Sequence, residues 1–469
     1  MIPQKINGTV ARIIHLLTSY CISPAHLHQL QAQLILHNLQ SNTTVAHHFI
    51  TACHSLNLLN SAAFPLYTTH ITQPHTFIYN TLLKAFSHSK TPQSSLIIYS
   101  HVHKNSILVN NYTFPFVLKS LAELRLLKEG EIVHGQIIKW GHFGDIYVGN
   151  SLLNLYASCG DMNSCVEVFD EMLLRDVVSW TIMIKGYKEA GKHDDALIAF
   201  ERMRSAEVVP NQVTMVNALA ACAGFGGLDM GVWIHEFIER SGWELDVILG
   251  TSLIDMYGKC GRIEAGLLVF EKMGEKNLFT WNAVIKGLAL AKSGKEALSW
   301  FLRMEQEGFK PDEVTLIAVL CACVHSGLVH IGRQLFSSLI HGKYGFSPSV
   351  RHYACMVDLL ARSGFLEEAL RMSRGMPFEP TKSIWGALLS GGRAHGSQEL
   401  SELAAWKLVE LEPGNSAYYV VLANLYAEME RWNDMEKVRE LIKERGFRKD
   451  LGRSKIELEH QDDALELLS

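Results

Sequence analysis

The chain has 469 residues, 48% of them hydrophobic and 19% charged, with a mean hydropathy of +0.08 and a formal net charge of −5. That composition excludes a disordered chain, no apolar run reaches the roughly 18 residues of a membrane span, and the length calls for roughly three domains or one open array. Bulk basicity that would advertise nucleic acid is absent, and nine cysteines without a C-x-x-C exclude a disulfide framework or zinc finger and point to a reduced compartment.

The average hides an asymmetry at the start of the chain. The first acidic residue is Glu123, and Lys5, Arg12, Lys84, Lys90, Lys104 and Lys119 give residues 1–122 a charge of +6, leaving −11 for the rest. Twelve of the 22 histidines precede residue 104. A leader without acids is the compositional mark of an organellar transit peptide. This one is poor in Arg, and its acid-free stretch outruns any leader. Residues 1–42 are expected to hold a targeting segment and a worn repeat, the latter around Leu27 to Ile35. Residues 43–75 read as a degenerate repeat with a helix near 45–60.

From Thr76 the chain repeats itself. Trp180 and Trp281, 101 residues apart, sit in matching segments of the form [VL]-x-[ST]-W-x-x-[MV]-I-K-G. The same offset links Gly149 to Gly250, Tyr156 to Tyr257, Cys159 to Cys260, Phe169 to Phe270, Pro210 to Pro311 and Cys222 to Cys323. Restarts at Thr76, Asn111 and Ile146, at Val177, Gln212 and Val247, and at Leu278, Glu313 and Val350 divide residues 76–381 into nine pieces. Their lengths run 35, 35 and 31 twice, then 35, 37 and 32.

Each piece reads as two short helices. Trp180, Met183, Ile184 and Tyr187 fall at i, i+3, i+4 and i+7, the apolar stripe of an amphipathic helix. A turn at Gly191 follows, then a second stripe of Ala196, Phe200 and Met203, stopped by Pro210 because proline cannot continue a helix. Trp281, Val284, Ile285 and Leu288, then Ala297, Phe301, Met304 and Pro311, repeat the pattern. One such hairpin cannot bury its stripe, whereas a stack buries a continuous core, so the predicted architecture is an all-α solenoid. After Thr381, Trp385 to Leu389 begins another helix pair, and Tyr418 to Tyr426 with Trp432 to Arg445 makes one more.

A tetratricopeptide repeat would carry W-x-x-L-G-x-x-Y in its first helix, which this chain lacks. The words Val177 to Thr181 (VVSWT), Ala196-Leu197-x-x-Phe200-x-x-Met203 and Pro210-Asn211 resemble instead the plant pentatricopeptide repeat (PPR) family. The 35, 35, 31 alternation resembles its PLS subclass, three triplets of P, long and short repeats over residues 76–381. Residues 382–447 resemble the E1 and E2 motifs, through Trp385 to Leu389, Leu411-Glu412-Pro413, Leu422-x-Asn424-x-Tyr426 and Trp432. The tail, 448–469, departs from the family: Leu451 to Glu457 (LGRSKIE) stands where a Pro-Gly box near Ser-Trp-Ile-Glu is usual. The zinc-binding H-x-E and C-x-x-C of a DYW deaminase domain do not occur.

The resemblance implies a right-handed superhelix of helix-turn-helix repeats that binds single-stranded RNA in mitochondria or chloroplasts, mitochondria slightly ahead. It implies a site-recognition factor for C-to-U editing, not itself an enzyme and without a cofactor. Its partners would be a DYW-type deaminase-bearing PPR protein and small editing cofactors in trans, with no membrane. In this family one repeat reads one base, through its fifth and last residues. Carried over, the pairs are Asn80 with Asn110, Asn150 with Asp176, Thr181 with Asn211, Thr251 with Asn277, and Asn282 with Asp312. The implied string is 5′-(C/U)-n-U-A-n-A-U-n-n-3′. The long repeats, with Pro115/Asp145, Val216/Asp246 and Ile317/Ser349, and the final Ala354/Thr381 are expected to read weakly or not at all. Lys259 and Arg362, each thirteenth in a short repeat, are the candidate contacts to the RNA backbone.

The chemistry of these residue types supports the assignment independently. U and G present a ring N–H on their Watson–Crick edge, while A and C present a bare ring nitrogen; ionised Asp only accepts, and an Asn amide can donate. Asn and Asp at helix starts are also ordinary caps. Three other signals carry no function. Gly186-x-x-x-x-Gly191-Lys192 imitates a phosphate loop, but His193 stands where Ser or Thr is needed and no strand precedes it. The pairs His26/His28, His47/His48 and His101/His103 lack accompanying carboxylates or thiols for a metal. Cys159/Cys260 and Cys222/Cys323 recur with the repeat as packing positions. The rival readings are a factor for RNA stabilisation, splicing or translation, and a protein-binding scaffold.

Overall fold

The computed structural model describes residues 2–21, 23–69 and 75–445. The tail from 448, including the departure at Leu451 to Glu457, lies outside the described residues. Every regular element among the described residues is helical. The chain divides into two compact units, 1–221 and 222–469.

The first unit opens with helices Ile2–Ser19, Pro24–Leu36 and Thr43–Ser55, then a π-helical turn, Leu59–Ala63, running into Phe64–Thr69. Four hairpins follow: Thr76–Ser87 with Gln93–Lys104, Thr113–Leu124 with Leu127–Lys139, Ile146–Cys159 with Met162–Glu171, and Val177–Glu189 with His193–Ser205. Helix Gln212–Phe225 crosses the division. The second unit continues with Leu228–Arg240, then pairs Val247–Lys259 with Ile263–Lys272, Leu278–Leu290 with Gly294–Gln306, Glu313–Ser326 with Val329–Ile340, and Val350–Arg362 with Leu366–Gly375. Two more pairs close it: Lys382–Ala394 with Gln398–Leu411, and Ser416–Glu428 with Trp432–Glu444.

The apolar stripes are the core. Trp180, Met183, Ile184, Ala196, Phe200 and Met203 are buried in the first unit, and Trp281, Val284, Ile285, Leu288, Ala297, Phe301 and Met304 in the second. Each fully buried large side chain contributes about 1.5–3 kcal/mol. The 101-residue period reappears as geometry. Trp180 meets Phe169 edge-on at 4.7 Å, and Trp281 meets Phe270 edge-on at 4.7 Å. Arg202 lies over the Trp180 ring at 5.7 Å, and Arg303 over the Trp281 ring at 5.7 Å. The turns also match: Gly160 at φ 80° and Gly261 at φ 72° take the left-handed conformation that a side chain would strain.

The first helices are buried well beyond one stripe. In Glu313–Ser326 the whole run from Thr315 to Val324 is buried. This helix packs on Leu278–Leu290 before it, Val350–Arg362 after it and its own hairpin partner. A helix covered on three sides needs apolar or small residues nearly all round. Second helices such as Gly294–Gln306 keep a charged outer face, with only Gly294, Ala297, Phe301 and Met304 buried.

Glycine sets the closest approach between first helices. A Cβ on Gly258 would sit 2.9 Å from the Gly287 Cα. Gly135, in an exposed helical position, has nothing within 4 Å. Gly258→Val should therefore lower the thermal midpoint, costing about 1–3 kcal/mol through overpacking. Gly135→Ala should raise it, gaining about 0.5–1 kcal/mol through helix propensity. Thermal unfolding checks both, and shifts of the same sign would refute this packing account.

Candidate functional site

The first helix of a repeat must satisfy backbone N–H groups at its N-terminus, and the residue that does so is the last of the preceding repeat. Asp176 accepts from the N–H groups of Val178 and Ser179, Asn277 from Thr280, Asp312 from Thr315, Asn211 from Thr214, and Asn110 from Tyr112. One turn further along each preceding first helix stands the fifth residue. The structure brings the two together in all five expected pairs.

Three pairs bond directly. Asn80 Nδ2 donates to Asn110 Oδ1 at 2.9 Å, Asn150 Nδ2 to Asp176 Oδ1 at 3.1 Å, and Asn282 Nδ2 to Asp312 Oδ1 at 3.1 Å. Two pairs join through a third hydroxyl. Thr181 Oγ1 meets Thr214 Oγ1 at 2.7 Å, and Thr214 Oγ1 donates to Asn211 Oδ1 at 2.9 Å. Thr251 Oγ1 meets Thr280 Oγ1 at 3.0 Å, and Thr280 Oγ1 donates to Asn277 Oδ1 at 3.2 Å.

Capping and presentation use different atoms of the same side chain. Every bond to Asp176 and to Asp312 falls on Oδ1, leaving Oδ2 as the open acceptor among the described residues. At Asn110, Asn211 and Asn277 it is also Oδ1 that is engaged, leaving the Nδ2 donor. The cap therefore leaves an acceptor at the two Asp sites and a donor at the three Asn sites. Burial disfavours the Asp176 carboxylate, but hydrogen bonds from Ser179, Asn150 and Val178 outweigh it and hold its pKa below the ordinary value.

In the other four repeats the fifth residue is apolar: Pro115, Val216, Ile317 and Ala354. Asp145 takes the Asn111 amide at 2.9 Å and caps Tyr147 and Val148, while its expected partner is Pro115, which has no donor. Val216 carries an aliphatic side chain, and Asp246 caps Leu249. Ile317 and Ala354 are buried. Ser349 meets His352 and Thr381 meets Ser383, each within its own cap.

Lys259 and Arg362 are not bare cations. Lys259 Nζ lies 2.9 Å from Asp255, and Arg362 Nε 2.7 Å from Asp358, each one helical turn earlier. Burial first, then the charges of Lys259 and Arg351, lower the pKa of Lys286, while Asp255 opposes. Lys188 Nζ donates to Asn217 Oδ1 at 3.1 Å.

One set of residues escaped the sequence reading. Phe77, Tyr112, Tyr147, Val178, Val213, Ile248, Phe279 and Val314 are large, apolar and exposed, Phe279 at 68%. Each is the second residue of its repeat, three before the fifth and so on the same helix face. The signal was available in the period: Phe77, Val178 and Phe279 are spaced by 101, as are Tyr112, Val213 and Val314.

Comparison with known proteins gives the family. A PPR repeat family model matches residues 175–224 and 276–325, and a PPR repeat model matches 150–177 and 251–278, both pairs at the 101-residue offset. A pentatricopeptide repeat-containing protein of Arabidopsis thaliana is 35% identical over 93% of this chain and 88% of its own length. The chain belongs to the pentatricopeptide repeat family. A second Arabidopsis PPR protein, named mitochondrial, is 30% identical over 97% of this chain and 87% of its own length. A third, named chloroplastic/mitochondrial, is 40% identical over 81% of this chain and 62% of its own. The solved pentatricopeptide repeat protein PPR10 in complex with an 18-nt psaJ RNA element superposes with a TM-score of 0.71 at 15% identity. That match covers 90% of this chain and 65% of PPR10, and establishes the shared solenoid fold.

An E motif model matches residues 395–457 of this PPR protein. Its described part is built around Tyr426, whose hydroxyl accepts from Trp406 Nε1 at 2.9 Å and donates to Glu402 at 2.7 Å. Arg431 bridges Glu402 at 2.6 Å and Asp434 at 2.8 Å, and lies over the Tyr426 ring. Trp432 is exposed beside them.

The Asp176 cap has a measurable pH dependence. Its depressed carboxyl stabilises the fold above the ordinary carboxylate range, and that contribution is lost as pH falls through the depressed folded-state value. At pH 7, Asp176→Ala should cost about 1 kcal/mol, and the gap to wild type in denaturant melts should close in acid. A gap that persists unchanged at pH 2 would show that the carboxylate is not its source.

Proposed function

We propose that this PPR protein reads single-stranded RNA in a plant organelle, one base per reading pair, as a site-recognition factor for C-to-U editing. The observation that carries the reading is the five fifth-and-last pairs joined at one register, three directly and two through a hydroxyl, each with one polar atom of the cap left open. Family membership and the RNA named with PPR10 support RNA as the ligand. The relatives named mitochondrial or chloroplastic/mitochondrial support an organelle without choosing one.

The pairing chemistry follows from the open atoms. Asp176 and Asp312 would accept from the ring N–H of uracil, and Asn211 and Asn277 would donate to N1 of adenine. Asn80 with Asn110 would take a pyrimidine. Bases would stack on the exposed second residues, above all on Phe77, Tyr112, Tyr147 and Phe279, since every base offers a π-face. The long repeats and the Ala354/Thr381 repeat would act as spacers. Lys259 and Arg362 would meet the RNA backbone with their charge already shared with Asp255 and Asp358.

In this reading residues 76–381 are three P-L-S triplets, followed by E1 and E2 repeats over 382–447. The repeats hold the strand just upstream of the target cytidine. The E region docks a DYW-type deaminase-bearing PPR protein and small editing cofactors, which supply the chemistry in trans.

Two measurements test the proposal. Asn282→Thr with Asp312→Asn should move the preference at that base from U toward A by about tenfold, the effect of one exchanged hydrogen bond to a charged group. Fluorescence anisotropy with RNAs differing at that base reads it; an unmoved preference would mean the repeat does not read a base. Organellar transcripts from a plant lacking the gene should lose one C-to-U change. Intact editing with a missing transcript would point to stabilisation instead.

A further inference from the structure

Five buried hydroxyls share one position. Thr113, Ser179, Thr214, Thr280 and Thr315 are each the third residue of a repeat, and each is at most 1% exposed. Each touches both members of the pair formed by the preceding repeat. Thr315 Oγ1 lies 2.6 Å from Asn282 Oδ1 and 2.8 Å from Asp312 Oδ1. Ser179 Oγ lies 2.6 Å from Asn150 Oδ1 and 3.0 Å from Asp176 Oδ1. Thr113 Oγ1 lies 2.8 Å from Asn80 Oδ1 and 3.2 Å from Asn110 Oδ1.

A hydroxyl has one proton, and its direction is set here. The cap's own backbone N–H donates to the hydroxyl oxygen, from Asp312 at 3.1 Å, Asp176 at 3.2 Å and Asn110 at 3.1 Å. That occupies one side of the oxygen. In the three pairs whose fifth residue is Asn, the nearer acceptor on the other side is that residue's amide carbonyl. The bonds then run in one direction: cap N–H to hydroxyl, hydroxyl to Asn Oδ1, and Asn Nδ2 to the last residue's Oδ1.

An Asn amide turned end for end keeps its shape but exchanges donor and acceptor. Turned in this site, it would set its NH₂ against the hydroxyl proton and its carbonyl against the capping oxygen. We infer that the third-position hydroxyl of the following repeat is a specificity-determining positioning residue, because it locks which polar atoms the preceding pair presents. This rests on the base-reading function proposed above. Without the hydroxyl, an unlocked amide would let the pair offer either pattern, so discrimination between bases should fall while stacking persists.

The test uses the full chain with Thr315→Val, which removes the hydroxyl at nearly constant volume, and Thr315→Ser, which restores it. Anisotropy titrations use RNAs of the expected string carrying U, C, A or G opposite the Asn282–Asp312 pair. Wild type and Thr315→Ser should favour U over C by about tenfold. Thr315→Val should show less than about twofold preference there, yet keep its U preference opposite Asn150–Asp176, with helical circular dichroism unchanged. Undiminished U preference in Thr315→Val overturns the inference and leaves base reading standing. Absent preference in wild type overturns both. Equal weakening for all four bases, or loss of helix, assigns Thr315 a structural role. Ser179→Ala, which adds no bulk, then decides at Asn150–Asp176, and the same result there overturns the inference.

Discussion

The structure depends on the need to satisfy the N-terminal backbone donors of the first helix in each repeat. A polar side chain must stand just before that helix, at the junction between repeats. Because the fifth residue of the preceding repeat lies within hydrogen-bond reach of the same junction, the cap becomes half of a pair. Asp176 shows both duties in one side chain: Oδ1 accepts from two backbone N–H groups and the Asn150 amide, with the Ser179 hydroxyl beside it at 3.0 Å, while Oδ2 stays open. Capping is thus what leaves Oδ2 open, and it does not compete with the reading role proposed for that atom.

Packing makes the junction repeatable. The Phe169–Trp180 and Phe270–Trp281 contacts have the same separation, and the arginines over those indoles do too. Glycines such as Gly258 and Gly287 bring consecutive first helices into backbone contact. Fixed spacing between first helices places each fifth residue at the next cap. The mild negative charge of the chain fits this arrangement, since Lys259 and Arg362 each share their charge with a carboxylate one turn away. Under the proposed function, specificity would rest on neutral and acidic polar atoms, and stacking on residues such as Phe279 would supply contact area without charge.

Much of this was legible before any coordinates. The i, i+3, i+4, i+7 stripes at Trp180 and Trp281 are the buried stripes, except that Tyr187 is only half-buried, and helices begin at Thr76, Ile146, Val177, Val247, Leu278 and Val350, where the sequence restarts. The second-residue apolar column was missed because an exposed aliphatic residue next to a buried stripe reads as part of that stripe. The His134–Tyr156 and His235–Tyr257 bonds, both 2.9 Å, were missed as well. The histidines before residue 104 stand out by number, whereas these two half-buried rings, their pKa values lowered by burial, recur at the repeat period.

The sequence by itself determined the helical hairpin, the 101-residue period and the identities of the paired residues, because periodicity and proline or glycine stops are local properties. It also marked the last residue of each repeat as a cap. Only the tertiary structure decided which atom of each cap is spent on the helix and which stays open. It alone placed Thr315 between Asn282 and Asp312, and Ser179 between Asn150 and Asp176. Those contacts join residues about thirty positions apart, and their distances depend on how closely one first helix packs on the next.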